Sequence, residues 1–440
     1  MLSRVIPAAS FLFLTLIICV HAASDQPPTQ DSLKTETFWQ STLLRRFDSN
    51  KDGKLNASER IALCDAFGGV DVPMLPVKSH RYTLILVPSH VAQSKLREID
   101  NTPPDNVLTD AGATLGRVLF YDKQLSQNNT IACASCHQQQ RAFSDPRQFS
   151  VGFEGGYTKR NAMGLANLRY TILNGRRPGF FWDERAPTLE AQVVMPIQDE
   201  VEMGMRFPQL EAKLWALPYY PPLFEAAFGS TEVTCERIGK AVAQFMRAMI
   251  SFDSRFDRAA EASASDNYSV DFDSFTAAEN VGKSLFIDGL GGVAEIGCAH
   301  CHVPPIFGMP KSFNNGLDMH YTDQGLGARD VPSNDPFTLT NDGRFKAPSL
   351  RNVALTAPYM HDGRFKALEQ VVEHYSSGVH SHANLDLAFN DEQPVGDTET
   401  SGFRLTPGQK SALLAFLKTL TDEEFISDPR FSDPFLRRKD

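Results

Sequence analysis

The apolar positions along this chain recur at the i, i+3, i+4 spacing of helices that bury one face. The clearest case lies near the C-terminus in "LTPGQKSALLAFLKTL", whose buried stripe consists of Leu413, Phe416, Leu417 and Leu420. Thr406 suits the N-cap of this helix, and Pro407 suits its first turn because no N–H donor is needed there. The stretch "RYTLILVPSHV" predicts a strand or an extended linker. These patterns predict a mainly α fold.

A second helical pattern occupies "ALEQVVEHY" in the last third of the chain. Its inward face holds Leu368, Val371, Val372 and Tyr375, whereas His374 falls off that face. Tyr375 therefore points to the interior of the fold. From spacing alone, this tyrosine is either part of a buried site or a core residue whose hydroxyl is bonded elsewhere.

The chain also repeats itself. "LGRVLFYDKQLSQNNTIACASCH" is similar to "VGKSLFIDGLGGVAEIGCAHCH", and each copy combines an apolar helix with a terminal C-x-x-C-H. The residues of the two signatures are Cys133, Cys136 and His137, then Cys298, Cys301 and His302. C-x-x-C-H is the attachment signature of haem c, in which two thiols bind the porphyrin and the histidine binds iron. A redox dithiol would not require the histidine, and a zinc site would leave surplus ligands. The repeat predicts two covalent haem c groups in two duplicated helical domains.

The remaining iron ligands differ between the halves. No histidine lies between His137 and His300. The iron of the first haem therefore has either a nearby methionine or no ligand on the side opposite His137. The nearby methionines are Met163, Met195, Met203 and Met205. An iron with a vacant position can bind peroxide, whereas a six-coordinate iron mainly transfers electrons. The second half offers Met319, His320, Met360, His361, His374, Tyr375, His380 and His382.

A calcium loop is predicted in "FDSNKDGKLNASERI". Its ligands would be Asp48, Asn50, Asp52, the carbonyl of Lys54, Asn56 and the bidentate Glu59. Gly53 supplies the sharp turn, and "ETFWQSTLLRRF" and "ASERIALCDAF" can form the flanking helices. The alternative is an acidic turn without metal. A single loop favours a structural, EF-hand-like clamp over a sensor pair.

The N-terminus and the composition limit location and partners. The apolar run from Phe11 to Val20 predicts a signal peptide, and therefore a periplasmic protein. The alternative, a membrane anchor, would need about 20 apolar residues, and this run is shorter. No later stretch is apolar enough to span. The net charge of −10 argues against nucleic-acid binding. Outside the two signatures, the exported chain keeps Cys64 and Cys235. These two cysteines could form a disulfide or remain separate thiols.

These signals divide the chain into seven segments. The predicted order is signal peptide 1–22, EF-hand-like segment 23–70, linker 71–104, first haem domain 105–255, linker 256–275, second haem domain 276–425 and tail 426–440.

Four stretches taken together resemble the bacterial di-haem cytochrome c peroxidases and their MauG-type relatives. They are "CASCH", "FFWDERAPTLEAQVVMPIQDEVEM", "CAHCH" and "APSLRNVALTAPYMHDG", within residues 105–425. The resemblance implies two cytochrome c-like domains with Trp182 between the haems. It also implies a peroxide pocket with Gln192 and Glu202 near Pro196. An interdomain calcium would be held by Asn161 and the backbone around Thr356 and Pro358.

Two departures from the peroxidase pattern change the expected chemistry. Peroxidases of this family carry a histidine after "SVG" that closes the first haem, and this chain has Phe153 there. The first haem is therefore expected to be open without reductive activation. The peroxidases also place methionine where Tyr375 stands, whereas the MauG-type enzymes have tyrosine. The match implies that Tyr375 binds the second iron, where a phenolate favours ferric and higher oxidation states.

The leading functional hypothesis is an exported di-haem oxidoreductase that reduces hydrogen peroxide. Its partner is either a small redox protein, such as a cytochrome c or a cupredoxin, or a protein whose residues it oxidises as a MauG-type enzyme. The non-enzymatic alternative is a di-haem electron carrier with both irons six-coordinate. A further alternative makes the calcium loop the working part and the haems passive.

Overall fold

The structure, a computed structural model, describes residues 43–76, 78–92, 96–171, 179–263, 267–289, 297–329, 331, 340–389 and 400–437. The predicted signal peptide and the segment up to residue 42 lie outside the described residues. Within the described ranges, no helix is both long and apolar enough to cross a bilayer.

The described residues are organised mainly as α-helices, which confirms the predicted fold class. The helices are α1 (Ala57–Ala66), α2 (Ser89–Ala92), α3 (Asp110–Tyr121), α4 (Cys133–Cys136), α5 (Leu189–Gln198), α6 (Phe207–Ala216), α7 (Tyr220–Phe228), α8 (Cys235–Ala248), α9 (Arg255–Ser263), α10 (Ala277–Ile287), α11 (Leu368–Ser377) and α12 (Pro407–Lys418). Residues 43–47 are also helical.

The strands are short and form antiparallel pairs. They are β1 (Val72–Pro73), β2 (Met309–Phe313), β3 (Phe345–Ala347), β4 (Val379–His380), β5 (Thr400–Ser401) and β6 (Phe435–Leu436). β1 pairs with β6, β2 with β3, and β4 with β5. The β1–β6 pair joins the N-terminal and C-terminal parts of the described chain.

The sequence repeat produces the same helix pair twice. In the first half, α3 packs on α8, and a Cβ at Gly116 would overlap the Ala241 carbonyl. In the second half, α10 packs on α12, and a Cβ at Gly282 would overlap the Ala412 carbonyl. Glycine is required at both positions because the two helix backbones touch directly. Each pair lies in its own hydrophobic core.

The predicted helix over 407–418 is confirmed in detail. The Thr406 hydroxyl accepts a hydrogen bond from the Gln409 N–H at 3.3 Å, and the Gln409 side chain returns to the Thr406 N–H at 2.8 Å. This reciprocal capping satisfies two N–H groups that the helix itself leaves unpaired. The predicted stripe of Leu413, Phe416, Leu417 and Leu420 is buried in the second core.

Described residues of the segment 256–275, which is predicted as a linker, pack into the second core. It starts within α9, and Phe256 is fully buried, with its ring centroid 4.9 Å from that of Phe307. Phe272 is buried in the same cluster. The segment is rich in Ala, Ser and Asp, which favour loops and for that reason predict a linker. The aromatic side chains among them outweigh that preference through burial.

Described residues of the predicted linker 71–104 and tail 426–440 pack in the hydrophobic clusters, and Leu75 and Tyr82 of the linker belong to the first core. Tyr82 is buried, and its hydroxyl donates to the Arg430 carbonyl at 2.8 Å. Phe431 and Phe435 belong to the first core. The stretch "RYTLILVPSHV" is expected to be a strand or an extended linker, and its residues 81–88, which precede α2, form no strand.

Cys64 and Cys235 are not joined by a disulfide. Cys64 is buried, and its thiol lies 3.9 Å from the Leu436 carbonyl oxygen in β6. Cys235 starts α8, where burial raises the pKa of its thiol. The disulfide considered from the sequence is therefore not formed in this structure.

The close helix contact at Gly282 predicts that one added methyl group makes the protein less stable. Gly282→Ala should lower the free energy of unfolding by about 1–3 kcal/mol, because the methyl group would force α10 away from α12. Gly408→Ala in α12 is the matched control, since a Cβ there meets nothing within 4 Å. Denaturant unfolding followed by circular dichroism measures both. Equal stability of the two variants would contradict the proposed close contact.

Candidate haem and peroxide sites

The first C-x-x-C-H opens into a large cavity. α4 contains Cys133 and Cys136, and His137 follows directly. Cys136 and His137 line a cavity of about 1310 Å³. The His137 Nδ1–H donates to the Phe143 carbonyl at 2.8 Å, which leaves Nε2 as the free lone pair. Burial lowers the pKa of this imidazole, so the neutral form that binds metals is favoured.

The second signature has the same arrangement around a smaller cavity of about 230 Å³. Cys298, Cys301 and His302 all line it. His302 Nδ1 lies 3.0 Å from the Pro348 carbonyl and 3.3 Å from the Phe307 carbonyl. Burial lowers the pKa of His302 to about 4. Nε2 is again left as the available ligand atom.

The residues present fit two covalent haem c groups. None of the four signature cysteines forms a disulfide. Burial raises the pKa of Cys133 to about 12 and that of Cys136 to about 11, which keeps both as thiols before attachment. Each signature thus places its histidine in a cavity next to unpaired cysteines, as thioether formation requires.

A shared wall separates the two cavities. Trp182, Asn161, Met163 and Lys346 line both. The Trp182 Nε1–H donates to the Asn161 carbonyl at 2.9 Å, and the Lys346 N–H donates to the Trp182 carbonyl at 2.9 Å. Two hydrogen bonds thus fix the side chain and the backbone of Trp182. Trp182 therefore lies in the wall that both cavities share, and its place between two haems remains a prediction.

Polar groups expected in a peroxide pocket line the first cavity. Gln192 and Pro196 come from α5, and Glu202 follows that helix. Gln192 Oε1 is buried, and no hydrogen-bond partner reaches it among the described residues. Burial, helped by the charge of Asp199, raises the pKa of Glu202 to about 7. A carboxyl group with that pKa can both accept and release a proton near neutral pH.

The loop that carries Glu202 is held in place by backbone contacts. Asp199 Oδ1 accepts hydrogen bonds from the Val201 N–H at 2.9 Å and from the Glu202 N–H at 3.0 Å. The Phe153 N–H donates to the Glu202 carbonyl at 3.0 Å. The Phe153 ring packs against Gly204 and is not among the residues lining the first cavity.

Of the four methionines considered for the first iron, Met163 lines the first cavity. Met195 is 38% exposed, whereas Met203 and Met205 pack in the first core. The structure therefore excludes three of these candidates from the cavity wall. Met246 and Met309, which are not among those four, also line it.

Of the eight candidates for the second iron, Met360, His361 and Tyr375 line the second cavity. The His361 ring stacks on Phe345 at a centroid distance of 3.6 Å. Tyr375 stacks on Phe389 at 5.9 Å with an interplanar angle of 11°, and burial raises the pKa of its phenol. The predicted inward direction of Tyr375 is confirmed. His374, predicted to fall off this face, is not among the residues that line the cavity, but it is buried.

The residues implied for an interdomain calcium lie close together. Asn161, Thr356 and Pro358 all line the second cavity. The Asn161 amide donates to the Arg147 and Gln148 carbonyls, both at 3.2 Å. Both carbonyls thus accept hydrogen bonds from this amide, and the interdomain calcium remains a prediction.

The predicted calcium loop has the expected turn but not a closed ligand shell. Gly53 has φ +79°, and its N–H donates to Asp48 Oδ2 at 2.8 Å. Glu59 points back into the loop and accepts from the Ser49 N–H at 2.8 Å. Within the described ranges, the one group of three His, Cys or carboxylate ligand atoms within 4.8 Å of one another is His300, Cys301 and Asp386. The loop therefore remains a prediction.

Sequence reasoning missed two residues at these cavities. Lys346 is buried in the shared wall, and its ammonium donates to the Gly179 carbonyl at 2.8 Å. Burial lowers its pKa to about 8. Asn315 lines the second cavity and contacts Tyr375. Neither residue carries a local sequence signal, because each becomes part of a site only through long-range packing.

A sequence profile for "Di-haem cytochrome c peroxidase" matches residues 110–265 and 276–394. This chain belongs to that family. It is similar to "Methylamine utilization protein MauG" of Methylorubrum extorquens, with 33% identity over 73% of this chain and 81% of the relative. It is also similar to "Cytochrome c551 peroxidase" of Nitrosomonas europaea, with 30% identity over 78% of this chain and 88% of the relative.

A solved structure supports the same assignment. A MauG-like protein associated with microbial copper homeostasis superposes with a TM-score of 0.60 and 34% identity, over 77% of this chain and 97% of that one. The prediction of an enzyme of the di-haem peroxidase type, with haem c cofactors, is confirmed by family membership. The alternative of a non-enzymatic electron carrier is not supported by these relatives.

The pKa of Glu202 should respond to its acidic neighbour. Asp199→Asn keeps the oxygen that accepts from the loop N–H groups but removes the negative charge, so the pKa of Glu202 should fall below about 7. Infrared titration of the carboxyl band measures this pKa, and Glu202→Gln assigns the band. An unchanged pKa would show that burial alone sets it.

Proposed function

We propose that this protein reduces hydrogen peroxide in the first cavity and delivers the oxidising equivalents by way of Trp182 to a second haem held by His302 and Tyr375. Each half would be a cytochrome c-like haem domain. The observation that supports this proposal most directly is the shared wall, because Trp182 lines both cavities. A haem c at each signature would supply the iron that binds peroxide and the porphyrin that holds oxidising equivalents.

Glu202 would move the proton during peroxide cleavage. Its pKa of about 7 means that the ionised form accepts the proton of peroxide and the protonated form returns it to the leaving oxygen. Gln192 Oε1 is a buried acceptor without a partner, which is costly unless a ligand donates to it. The O–H of peroxide is such a donor, so Gln192 would orient the substrate.

The first iron would have a vacant position. Among the described residues of its cavity wall there is no histidine besides His137, and Phe153 lies outside that wall. Met163, Met246 and Met309 are the thioethers that line the cavity, and Met163 belongs to the shared wall as well. An open position agrees with peroxide binding without prior reduction of the second haem.

Tyr375 favours a MauG-type reaction as the second candidate function. A phenolate ligand stabilises ferric and higher oxidation states, which suits storage of two oxidising equivalents for use on a protein partner. Relatives named MauG share 31–33% identity with this chain. A small redox protein that donates electrons one at a time is the alternative partner. In both cases we propose that the protein is exported and acts in the periplasm.

We also propose two calcium sites. One is the loop with Asp48, Asn50, Asp52, Lys54, Asn56 and Glu59, acting as a structural clamp on α1. The Asn56 side chain and Glu59 already cap α1 reciprocally, so a cation at Glu59 would couple the loop to the helix. The other would be held by Asn161 and the backbone around Thr356 and Pro358, which line the second cavity.

Removal of the Glu202 carboxylate tests the peroxide proposal. Glu202→Gln should slow the reaction with peroxide by about 10²–10⁴-fold, the usual contribution of a general acid–base group. The wild-type rate should rise with pH through about 7, because the ionised carboxylate is the proton acceptor, and the variant should lose this rise. Stopped-flow absorption of the ferric protein mixed with peroxide measures both.

The exposed Glu154→Gln is the control for this experiment, because that side chain is outside the cavity wall. A pH dependence that persists in Glu202→Gln would assign the proton transfer to another group. A wild-type protein that does not react with peroxide would contradict the proposed function itself.

Calcium should stabilise the N-terminal loop through Glu59. Binding of calcium to the wild type at about one hundred times its Kd should add about 2.7 kcal/mol per site to the free energy of unfolding. Glu59→Gln should lose one such contribution, because the bidentate ligand is removed. Thermal unfolding with calcium and with a chelator measures the difference. The control is the exposed Glu423→Gln, and an equal calcium response in both variants would exclude the loop.

A further inference from the structure

Asn315 contacts the oxygen of Tyr375 directly. It follows β2 in the chain and lines the second cavity. Its Nδ2–H donates to the Tyr375 hydroxyl oxygen at 3.1 Å, and the same nitrogen lies 3.7 Å from the sulfur of Met360. The amide therefore reaches the phenol and the thioether that both line this cavity.

The backbone of Asn315 is fixed by the residue next to Tyr375. The His374 Nε2–H donates to the Asn315 carbonyl at 3.1 Å, and His374 is buried. The following residue, Gly316, accepts a hydrogen bond from the His380 N–H at 2.7 Å. α11 thus carries both the tyrosine and the histidine that holds the amide donor in place.

The ring of Tyr375 has little freedom to move away from this donor. Phe389 stacks on one face of the ring, with a centroid distance of 5.9 Å. Phe389 itself packs in a cluster with Val379 and Leu385. The phenol oxygen therefore has a fixed direction, and Asn315 Nδ2 is the side-chain donor that meets it there.

We propose that Asn315 is a positioning residue that sets the donor strength of Tyr375 toward the second haem iron. This inference rests on the proposed function, in which Tyr375 binds that iron. A hydrogen bond to a ligand oxygen withdraws negative charge from it and weakens its donation to the metal. Weaker donation stabilises the ferric state of the iron less. The Asn315 amide therefore holds the second haem at a higher reduction potential than a phenolate ligand without this hydrogen bond would.

Substitution of Asn315 in the full-length protein with both haems attached tests this inference. Asn315→Leu keeps a similar side-chain volume but removes the N–H donor. The midpoint potential of the second haem should shift to more negative values in spectroelectrochemical titration. The vibrations of the coordinated phenolate should also shift in resonance Raman spectra. Asn315→Ser is the second variant in case the leucine side chain prevents folding or haem attachment.

Ser377→Ala is the matched control, because Ser377 is exposed on the same helix and bonds Glu373 on the solvent side. It should leave the potential and the phenolate vibrations unchanged. An unchanged potential and unchanged vibrations in both Asn315 variants would overturn the inference.

Tyr375→Phe separates this failure from failure of the proposed function. Loss of the phenolate vibrations in Tyr375→Phe shows that Tyr375 is the ligand, and the Asn315 variants then decide the inference alone. Persistence of those vibrations in Tyr375→Phe would refute the ligand assignment, and with it the function proposed for the second haem.

Discussion

The direct contact of two helix backbones in each half determines where the chemistry is placed. Gly116 lets α3 approach α8, and Gly282 lets α10 approach α12 in the same way. Because the helix that leads to each C-x-x-C-H belongs to such a pair, the packing fixes the direction from which the signature enters its cavity. Interiors are packed too densely to absorb an extra methyl group at these points without moving a helix.

The wall between the cavities combines hydrogen bonds with ion pairs, one of which joins the two halves of the chain. Trp182 is held by the Asn161 carbonyl, and the preceding Arg160 pairs with Asp183 at 2.6 Å and with Asp323 at 2.7 Å. Arg160 thus ties the residue after Trp182 to the second half of the chain. These partly buried pairs orient the wall more than they stabilise it, because desolvation offsets much of their attraction.

Burial favours the neutral form of the ionisable groups in the two cavities. It favours the neutral form of His137 and His302, which leaves Nε2 available for a metal. The same effect raises the pKa of Glu202 to about 7 and lowers that of Lys346 to about 8. The low-polarity interior therefore prepares ligands and a proton-transfer group without any contribution from a bound cofactor.

The sequence by itself determined the helical class, the repeated helix, both haem signatures and the inward direction of Tyr375. These are local properties, because helix period and motif spacing act over a few residues. The family resemblance further named Trp182 and Glu202, but not the contacts that hold them. Only the tertiary structure decided that Asn315 meets Tyr375 and that Phe256 belongs to the second core. Those contacts join residues far apart in the chain, and packing free energy, which no local pattern encodes, selects them.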